Sequence, residues 1–198
     1  IREYLKDYQV EEILMHKVLE LNKKYSSIVE EGEEISRNIN WRLDTFEWDN
    51  LFNYGGENKI DFSNMSGVIG VFGKNFSGKS SIIDAMLYTM FNSTSKNERK
   101  NLNVINQNKP MGSGKVVINV GNEAYTIERA SEKYIKRLKG EETLEAKTEL
   151  NFECYDKILG STTSLNGLTR NETDKLIRKQ FGTMEDFLMS SMAAQHGS

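Results

Sequence analysis

The sequence contains few residues that build disulfides or thiolate metal sites. Among its 198 residues there is one cysteine, Cys154, and there are two histidines, His16 and His196. A single cysteine cannot form a disulfide framework or a cysteine metal cluster, and this favours a reducing compartment such as the cytoplasm. Neither histidine has a catalytic or metal-binding partner beside it in the sequence, so we interpret both as surface or core residues.

The chain also lacks a long apolar run and an excess of positive charge. No stretch is long enough to span a bilayer and no signal-peptide pattern opens the sequence, so no membrane attachment is predicted. Charged residues make up 28% of the chain and the formal net charge is −3. This balance excludes a generally basic nucleic-acid-binding protein but not a local basic patch. Because the first residue is Ile1 and no domain-closing element ends the chain, we expect a segment of a longer protein.

A phosphate-binding loop is the most specific feature that the sequence does contain. Residues 73–80, GKNFSGKS, fit the pattern G-x-x-x-x-G-K-[ST] at every fixed position. The apolar segment 68–72 predicts a short buried strand before the loop, and apolar residues at helical spacing predict a helix over 82–90. Loop N–H groups and the positive end of that helix bind anions. Lys79 would then reach the β- and γ-phosphates, and the Ser80 hydroxyl would bind Mg²⁺.

A second glycine-rich stretch, Gly112-Ser113-Gly114-Lys115, resembles this loop only in part. Position 109 is a lysine rather than the first glycine, and Val116 stands where a hydroxyl would bind the metal. We therefore interpret the stretch as a hairpin-type turn before a strand that begins at Val116.

Alternation of apolar and polar residues predicts an antiparallel arrangement around the loop. The stretches "NWRLDTFEW" and "KIDF" predict two short strands joined by the turn "NYGGEN". After a polar loop at 92–109, the stretches "KVVINV", "EAYTIERA" and "TELNFECY" predict a meander, with a charged insert at 131–147. A helix is predicted from a Thr169 or Asn171 cap to Gly182, and another begins after the N-cap Thr183.

Residues 1–36 are predicted to form a separate helical extension, and residues 37–198 form the second unit. An amphipathic helix ends near Gly32, and it either folds back on the second unit or is the tail of an upstream domain such as a fused nuclease. Its apolar stripe consists of Val10, Leu14, Val18, Leu21, Tyr25 and Ile28.

The order of elements over residues 40–198 resembles the N-terminal lobe of the SbcC-type ATPases. The stretch "NLFNYGGENKIDFSNMSGVIGVFGKNFSGKSSIIDAMLYTMF" and the later "DFLMSSMAAQ" carry the resemblance. SbcC-type proteins are SMC-like, ABC-class ATPases of DNA double-strand-break repair. The resemblance implies an α/β fold, namely the N-terminal half of an ABC-class P-loop NTPase with an antiparallel β meander. It also implies ATP and Mg²⁺ as cofactors.

The resemblance assigns roles to individual residues. Gln195 takes the place of a family glutamine that reaches the Mg²⁺ and the attacking water, a role that suits a neutral amide. Lys79 and Gln195 would be catalytic, and Ser80 and Gln195 would bind the metal. Where family members often have an arginine that touches the nucleotide, this chain offers Asn53, or an aromatic ring of Phe52 or Tyr54 near the base. The nucleotide-binding set is Asn53, Gly73, Lys74, Asn75, Phe76, Ser77, Gly78, Lys79, Ser80 and Ser81.

Hydrolysis needs acidic groups for which the sequence shows no candidate. P-loop ATPases use an aspartate after an apolar strand and a carboxylate that polarises water, and no run of four apolar residues ending in Asp-Glu occurs here. The resemblance implies that both lie in a C-terminal lobe beyond a coiled coil. We therefore expect half of a split site that alone binds nucleotide poorly and barely hydrolyses it. The implied partners are that lobe, a second head in an ATP-dependent homodimer, and an SbcD-type metallophosphoesterase nuclease, in a bacterial or phage-infected cytoplasm.

Other P-loop classes fit less well. A GTPase would need Asn-Lys-x-Asp, and the nearest match, residues 108–111, lacks the aspartate. A small P-loop kinase would carry a lid with arginines rather than a long β insert. The head of a chromosome-organising SMC protein that clamps DNA without a nuclease stays open as an alternative, and co-purification with a nuclease would discriminate.

The resemblance also implies double-stranded DNA as a partner, contacted through its phosphates without sequence preference. Two groups of basic residues are candidates, although solvated surface explains such groups equally well. The loop cluster is Lys96, Arg99, Lys100 and Lys109, and the hairpin cluster is Lys133, Lys136, Arg137 and Lys139.

Overall fold

The computed structural model describes residues 41–66, 69–75, 77–95, 101–138 and 141–190, together with Leu14, Lys17 and Leu21. The chain divides into two compact units, Ile1–Asn38 and Ile39–Ser198. The three described residues of the first unit are helical. The rest of the predicted extension over 1–36 lies outside the described residues.

One antiparallel sheet of six strands dominates the described part of the second unit, in the order β2–β1–β3–β4–β5–β6. This arrangement confirms the predicted meander and both predicted short strands. The strands are β1 Trp41–Asp49, β2 Asn58–Asp61, β3 Met111–Val120, β4 Glu123–Leu138, β5 Glu141–Asp156 and β6 Ser161–Ser164.

The charged insert predicted at 131–147 is not an interruption of the meander. It is the outer part of the β4–β5 hairpin, paired in register from Ser131 opposite Thr148 to Leu138 opposite Glu141. Its alternation is hidden because both faces of the outer hairpin carry mostly polar residues, so the hydrophobic pattern that marks a half-buried strand is missing.

Three α-helices lie in the described part of this unit: α1 Lys79–Phe91, α2 Arg170–Phe181 and α3 Met184–Ser190, and a short 3₁₀-helix spans Asn101–Asn103. The predicted caps are confirmed. The Thr169 side chain accepts a hydrogen bond from the Glu172 N–H at 3.3 Å, and α2 ends at Gly182, whose φ is +83°. Ahead of α3, the Thr183 hydroxyl accepts from the Asp186 N–H at 3.2 Å while Asp186 Oδ2 accepts from the Thr183 N–H at 3.0 Å. Such reciprocal bonds satisfy donors that a helix start leaves unpaired.

The core lies between one face of the sheet and the three α-helices, with α1 contributing most of the helical residues. Successive strand side chains point to opposite faces, so alternate residues such as Val116 and Ile118 of β3 and Ile127 of β4 are buried together. Residues 85–91 of α1 are buried without interruption, whereas its first turns are half-exposed. The packing therefore anchors the C-terminal half of α1. It leaves the N-terminal end of the helix at the edge of the core, where the phosphate loop joins it.

The prediction of a turn at Gly112-Ser113-Gly114-Lys115 is wrong, because these residues lie inside β3. Here α1 and the turn after β1 approach the strand too closely for a side chain. A Cβ on Gly114 would collide with the Thr89 hydroxyl, and one on Gly112 would lie 2.6 Å from the Asn50 carbonyl oxygen. Glycine within a strand marks such a close approach.

The buried strand predicted over 68–72 is also not found in the described residues of that segment. Residues 69–75 have no strand conformation, and Ile69, Val71 and Phe72 are 53%, 60% and 94% exposed. A strand requires a hydrogen-bonded neighbour, and the six described strands pair only among themselves. The segment is therefore apolar, but the described residues do not bury its side chains.

Candidate nucleotide-binding site

The phosphate loop is a compact turn that runs directly into α1. The Ser77 N–H donates to the Lys74 carbonyl at 3.2 Å, and the Ser81 N–H donates to the Gly78 carbonyl at 3.0 Å. Gly78, the N-cap of α1, has φ +94°, a left-handed conformation that glycine adopts without the steric cost of a Cβ. The local sequence thus folds as the motif requires, with the start of a helix at the end of a glycine turn.

The Lys79 ammonium lies against the loop backbone. Its Nζ donates to the carbonyl oxygens of Gly73 at 2.8 Å and Lys74 at 2.7 Å. A flexible cation beside loop N–H groups and a helix N-terminus is the donor set that a polyphosphate needs. The arrangement therefore fits ATP, whose phosphate oxygens would compete with those two carbonyls for the ammonium.

The predicted metal ligands are only partly described. Ser80 lies exposed in the first turn of α1, and its hydroxyl oxygen is a suitable ligand for Mg²⁺. Gln195 and Phe76 lie outside the described residues, so their roles stay predictions. Among the described residues, no group of three or more His, Cys, Asp or Glu side chains could hold a metal. Mg²⁺ needs no such group, since it binds through one or two protein ligands plus phosphates.

The turn between β1 and β2 contacts the end of the phosphate loop. Tyr54 Oη donates to the Gly78 carbonyl at 3.0 Å, and a Cβ on Gly78 would lie 2.6 Å from Asn53 Nδ2. Asn53 is thus placed beside the loop, as its predicted role requires, although that role stays a prediction. Phe52 and Tyr54 both pack against the hydrophobic core. Burial raises the pKa of the Tyr54 hydroxyl, so this group stays a protonated donor at neutral pH.

Arg129 is a buried residue that the sequence analysis did not single out. Its side chain is fully buried on the core face of β4, and its Nη2 lies 2.6 Å from Oδ1 of Asp174 in α2. Its Nε donates to the Thr89 carbonyl in the last turn of α1 at 3.0 Å. The signal in the sequence is a charge at an inward position of an alternating strand, after Tyr125 and Ile127. Arg129 thus connects α1, the helix that follows the phosphate loop, to α2.

The hairpin cluster is largely engaged with the protein itself. Lys136 pairs with Glu145 at 3.0 Å and Arg137 with Glu142 at 2.8 Å, both across the β4–β5 hairpin. Lys133 Nζ donates to the Asn106 carbonyl at 2.8 Å. Of the loop cluster only Lys109 is described, and it is exposed. The remaining members of both clusters lie outside the described residues.

No helix in the described part of the chain is long and apolar enough to cross a membrane.

Comparison with known proteins identifies the domain type. Residues 47–197, more than half of the chain, match the family described as AAA domain. A curated relative, the uncharacterized protein R555 of Acanthamoeba polyphaga mimivirus, is 28% identical over 209 residues covering 98% of this chain, which spans 15% of that protein's length.

Two solved structures of the recombination mediator protein RecF in the RecFOR pathway, RecF-ATP and RecF-ATPrS, are each 16% identical. Each alignment covers 54% of this chain. It covers 27% of the chain in RecF-ATP, with a TM-score of 0.39, and 26% of the chain in RecF-ATPrS, with a TM-score of 0.40. Similarity this low transfers no function. The α/β, P-loop ATPase-like fold rests on the family match together with the loop and α1.

Proposed function

Because this chain belongs to the AAA domain family, we propose that it is the ATP-binding half of a split, ABC-class ATPase head. The observation that carries the proposal is the Lys79 ammonium, held by two loop carbonyls at the start of α1. ATP binds with its β- and γ-phosphates on the loop N–H groups and Lys79. Ser80 and Gln195 would hold Mg²⁺, which would neutralise charge on the phosphates.

A C-terminal lobe completes the head. Support comes from the segment before the loop, where Ile69, Val71 and Phe72 are all more than half exposed. Large apolar side chains exposed close together mark an interaction surface. The lobe covers these residues and supplies the acidic groups needed for hydrolysis. Two completed heads dimerise with Mg-ATP and not with ADP, and light scattering that shows no effect of nucleotide on mass would contradict this.

The complete head couples ATP binding and hydrolysis to the processing of DNA ends in the cytoplasm, together with an SbcD-type nuclease. The resemblance over residues 50–91 and 186–195 supports this part of the proposal. A tagged full-length protein should then co-purify with a metallophosphoesterase. Recovery without one, from cells that contain its natural neighbours, would favour the DNA-clamp alternative.

ATP binding is tested by calorimetry on two lysine variants of the full-length protein. Lys79→Ala removes charge-assisted hydrogen bonds to phosphate and should weaken binding roughly 10- to 100-fold. Lys115→Ala is the matched control, because Lys115 follows the similar stretch Gly112-Ser113-Gly114 but lies exposed in β3; it should bind like the wild type. Equal affinity of the Lys79→Ala variant and the wild type would refute the loop assignment.

A further inference from the structure

Two consecutive residues of the β1–β2 turn contact one glycine of the phosphate loop. Tyr54 Oη donates to the Gly78 carbonyl at 3.0 Å. A Cβ on Gly78 would lie 2.6 Å from Nδ2 and 2.9 Å from Oδ1 of Asn53. Gly78 is thus enclosed from the side of this turn, although Tyr54 and Gly78 are 24 residues apart in the sequence.

The hydrogen bond to Gly78 fixes the direction of the next N–H group. The Gly78 carbonyl and the Lys79 N–H belong to one planar trans peptide, in which they point in opposite directions. Tyr54 Oη and the Ser81 N–H both bind this carbonyl at 3.0 Å. The Lys79 N–H therefore points away from Tyr54. The N–H groups at a helix start are those that bind an anion.

A hydrogen bond from outside the loop adds to the restraint that the Ser81 N–H provides, because glycine restricts its own backbone so little. Gly78 has φ +94° and ψ 8°, and without a Cβ it exchanges between positive and negative φ at little cost. A rotation of the Gly78–Lys79 peptide would turn the Lys79 N–H away from a bound phosphate. The bond from Tyr54 opposes that rotation.

Tyr54 itself is held at its ring and at its backbone. The ring meets Trp48 edge-on, with centroids 5.2 Å apart and an interplanar angle of 87°. The Tyr54 N–H donates to the Leu51 carbonyl at 3.0 Å, and its own carbonyl accepts from Asn106 Nδ2 at 3.0 Å. The hydroxyl is therefore presented to Gly78 from a fixed position.

We propose that Tyr54 is a positioning residue that holds the Gly78–Lys79 peptide in its anion-binding orientation, and so sets the affinity for the phosphates without touching the base. This inference rests on the proposed function of the loop. It differs from a stacking role, in which the aromatic ring and not the hydroxyl would bind the nucleotide.

The test compares the binding of ATP and of inorganic tripolyphosphate to the full-length protein, which includes the C-terminal lobe, by calorimetry. Tyr54→Phe keeps the ring and removes the hydroxyl. It should weaken both ligands by the same factor, at most about 5-fold, because the lost hydrogen bond acts on affinity only by stabilising the binding-competent peptide in the free protein. Tyr155→Phe is the control, because Tyr155 is 42% exposed in β5, and it should bind both ligands like the wild type. The thermal unfolding midpoint of Tyr54→Phe checks that the fold is retained.

The outcomes separate this inference from the proposed function. Unchanged binding of both ligands to Tyr54→Phe, with Lys79→Ala still impaired, overturns the positioning role alone. A loss of ATP affinity without a loss for tripolyphosphate also overturns it, since this would indicate a contact with the nucleoside. Equal tripolyphosphate binding by the wild type and Lys79→Ala, or none by either, would instead refute the phosphate loop.

Discussion

Replacing Asp174 by alanine is expected to destabilise the second unit, Ile39–Ser198, by about 3–5 kcal/mol. This is the usual cost of removing one partner from a buried ion pair. The Arg129 side chain is fully buried and that of Asp174 is 11% exposed, with 2.6 Å between Nη2 and Oδ1. Without the carboxylate, the described partners of the guanidinium are the carbonyls of Thr89 at 3.0 Å and Met90 at 3.4 Å. Neutral carbonyls do not compensate a buried charge, so the loss is a large part of a typical domain stability of about 5–15 kcal/mol.

Urea unfolding followed by tryptophan fluorescence measures this loss in the right part of the chain. Both tryptophans, Trp41 and Trp48, lie in β1, so the signal follows the sheet rather than the N-terminal unit. Lys136→Ala is the control, because the Lys136–Glu145 pair has side chains that are 46% and 40% exposed. Breaking an exposed pair should cost at most about 1 kcal/mol.

A double variant separates the charge from the packing. Arg129→Met combined with Asp174→Leu replaces the buried pair by apolar groups and should recover most of the stability lost in Asp174→Ala. A loss in Asp174→Ala no larger than that of Lys136→Ala would refute the reasoning. A double variant as unstable as the single one would show that shape, and not charge, is decisive at this site.

Three further outcomes follow from the contacts. Gly114→Ala should cost about 1–3 kcal/mol through overpacking against Thr89, measured by the same unfolding assay; Thr89→Ala should restore part of it, and Gly55→Ala, which has open space around it, should be neutral. Thr169→Ala should cost about 1 kcal/mol by removing the N-cap of α2, and thermal unfolding with an unchanged midpoint would count against the cap. If the chain binds DNA, charge reversal of the loop cluster should weaken binding to all duplexes and reduce its salt dependence. Reversal of the hairpin cluster should change little in fluorescence anisotropy, because its described members already have protein partners.

The elements that the sequence predicted well depend mainly on residues close together in the chain. The spacing of Gly73, Gly78 and Lys79 is sufficient to indicate a loop that enters a helix. The caps at Thr169 and Thr183 were predictable because the bonded groups lie three residues apart. The meander was predictable wherever one strand face is apolar.

Other features depend on contacts between distant parts of the chain. The glycines of β3 resembled a turn because the reason for them, the approach of Thr89 and of the Asn50 carbonyl, lies elsewhere in the sequence. The outer hairpin over 131–147 has no apolar face, so its strands formed only as pairing partners of each other. The strand over 68–72 was predicted from its apolar residues alone. It is not found because no described strand pairs with residues 69–72.

The sequence by itself determined that this chain has a phosphate loop, a helix after it and an antiparallel meander, because local spacing and alternation fix backbone conformation. Only the tertiary structure decided which side chains support that loop. Tyr54 reaches Gly78 across 24 residues, and Arg129 reaches Asp174 across 45. No local pattern encodes either contact, since each exists only when the sheet brings its strands and helices together.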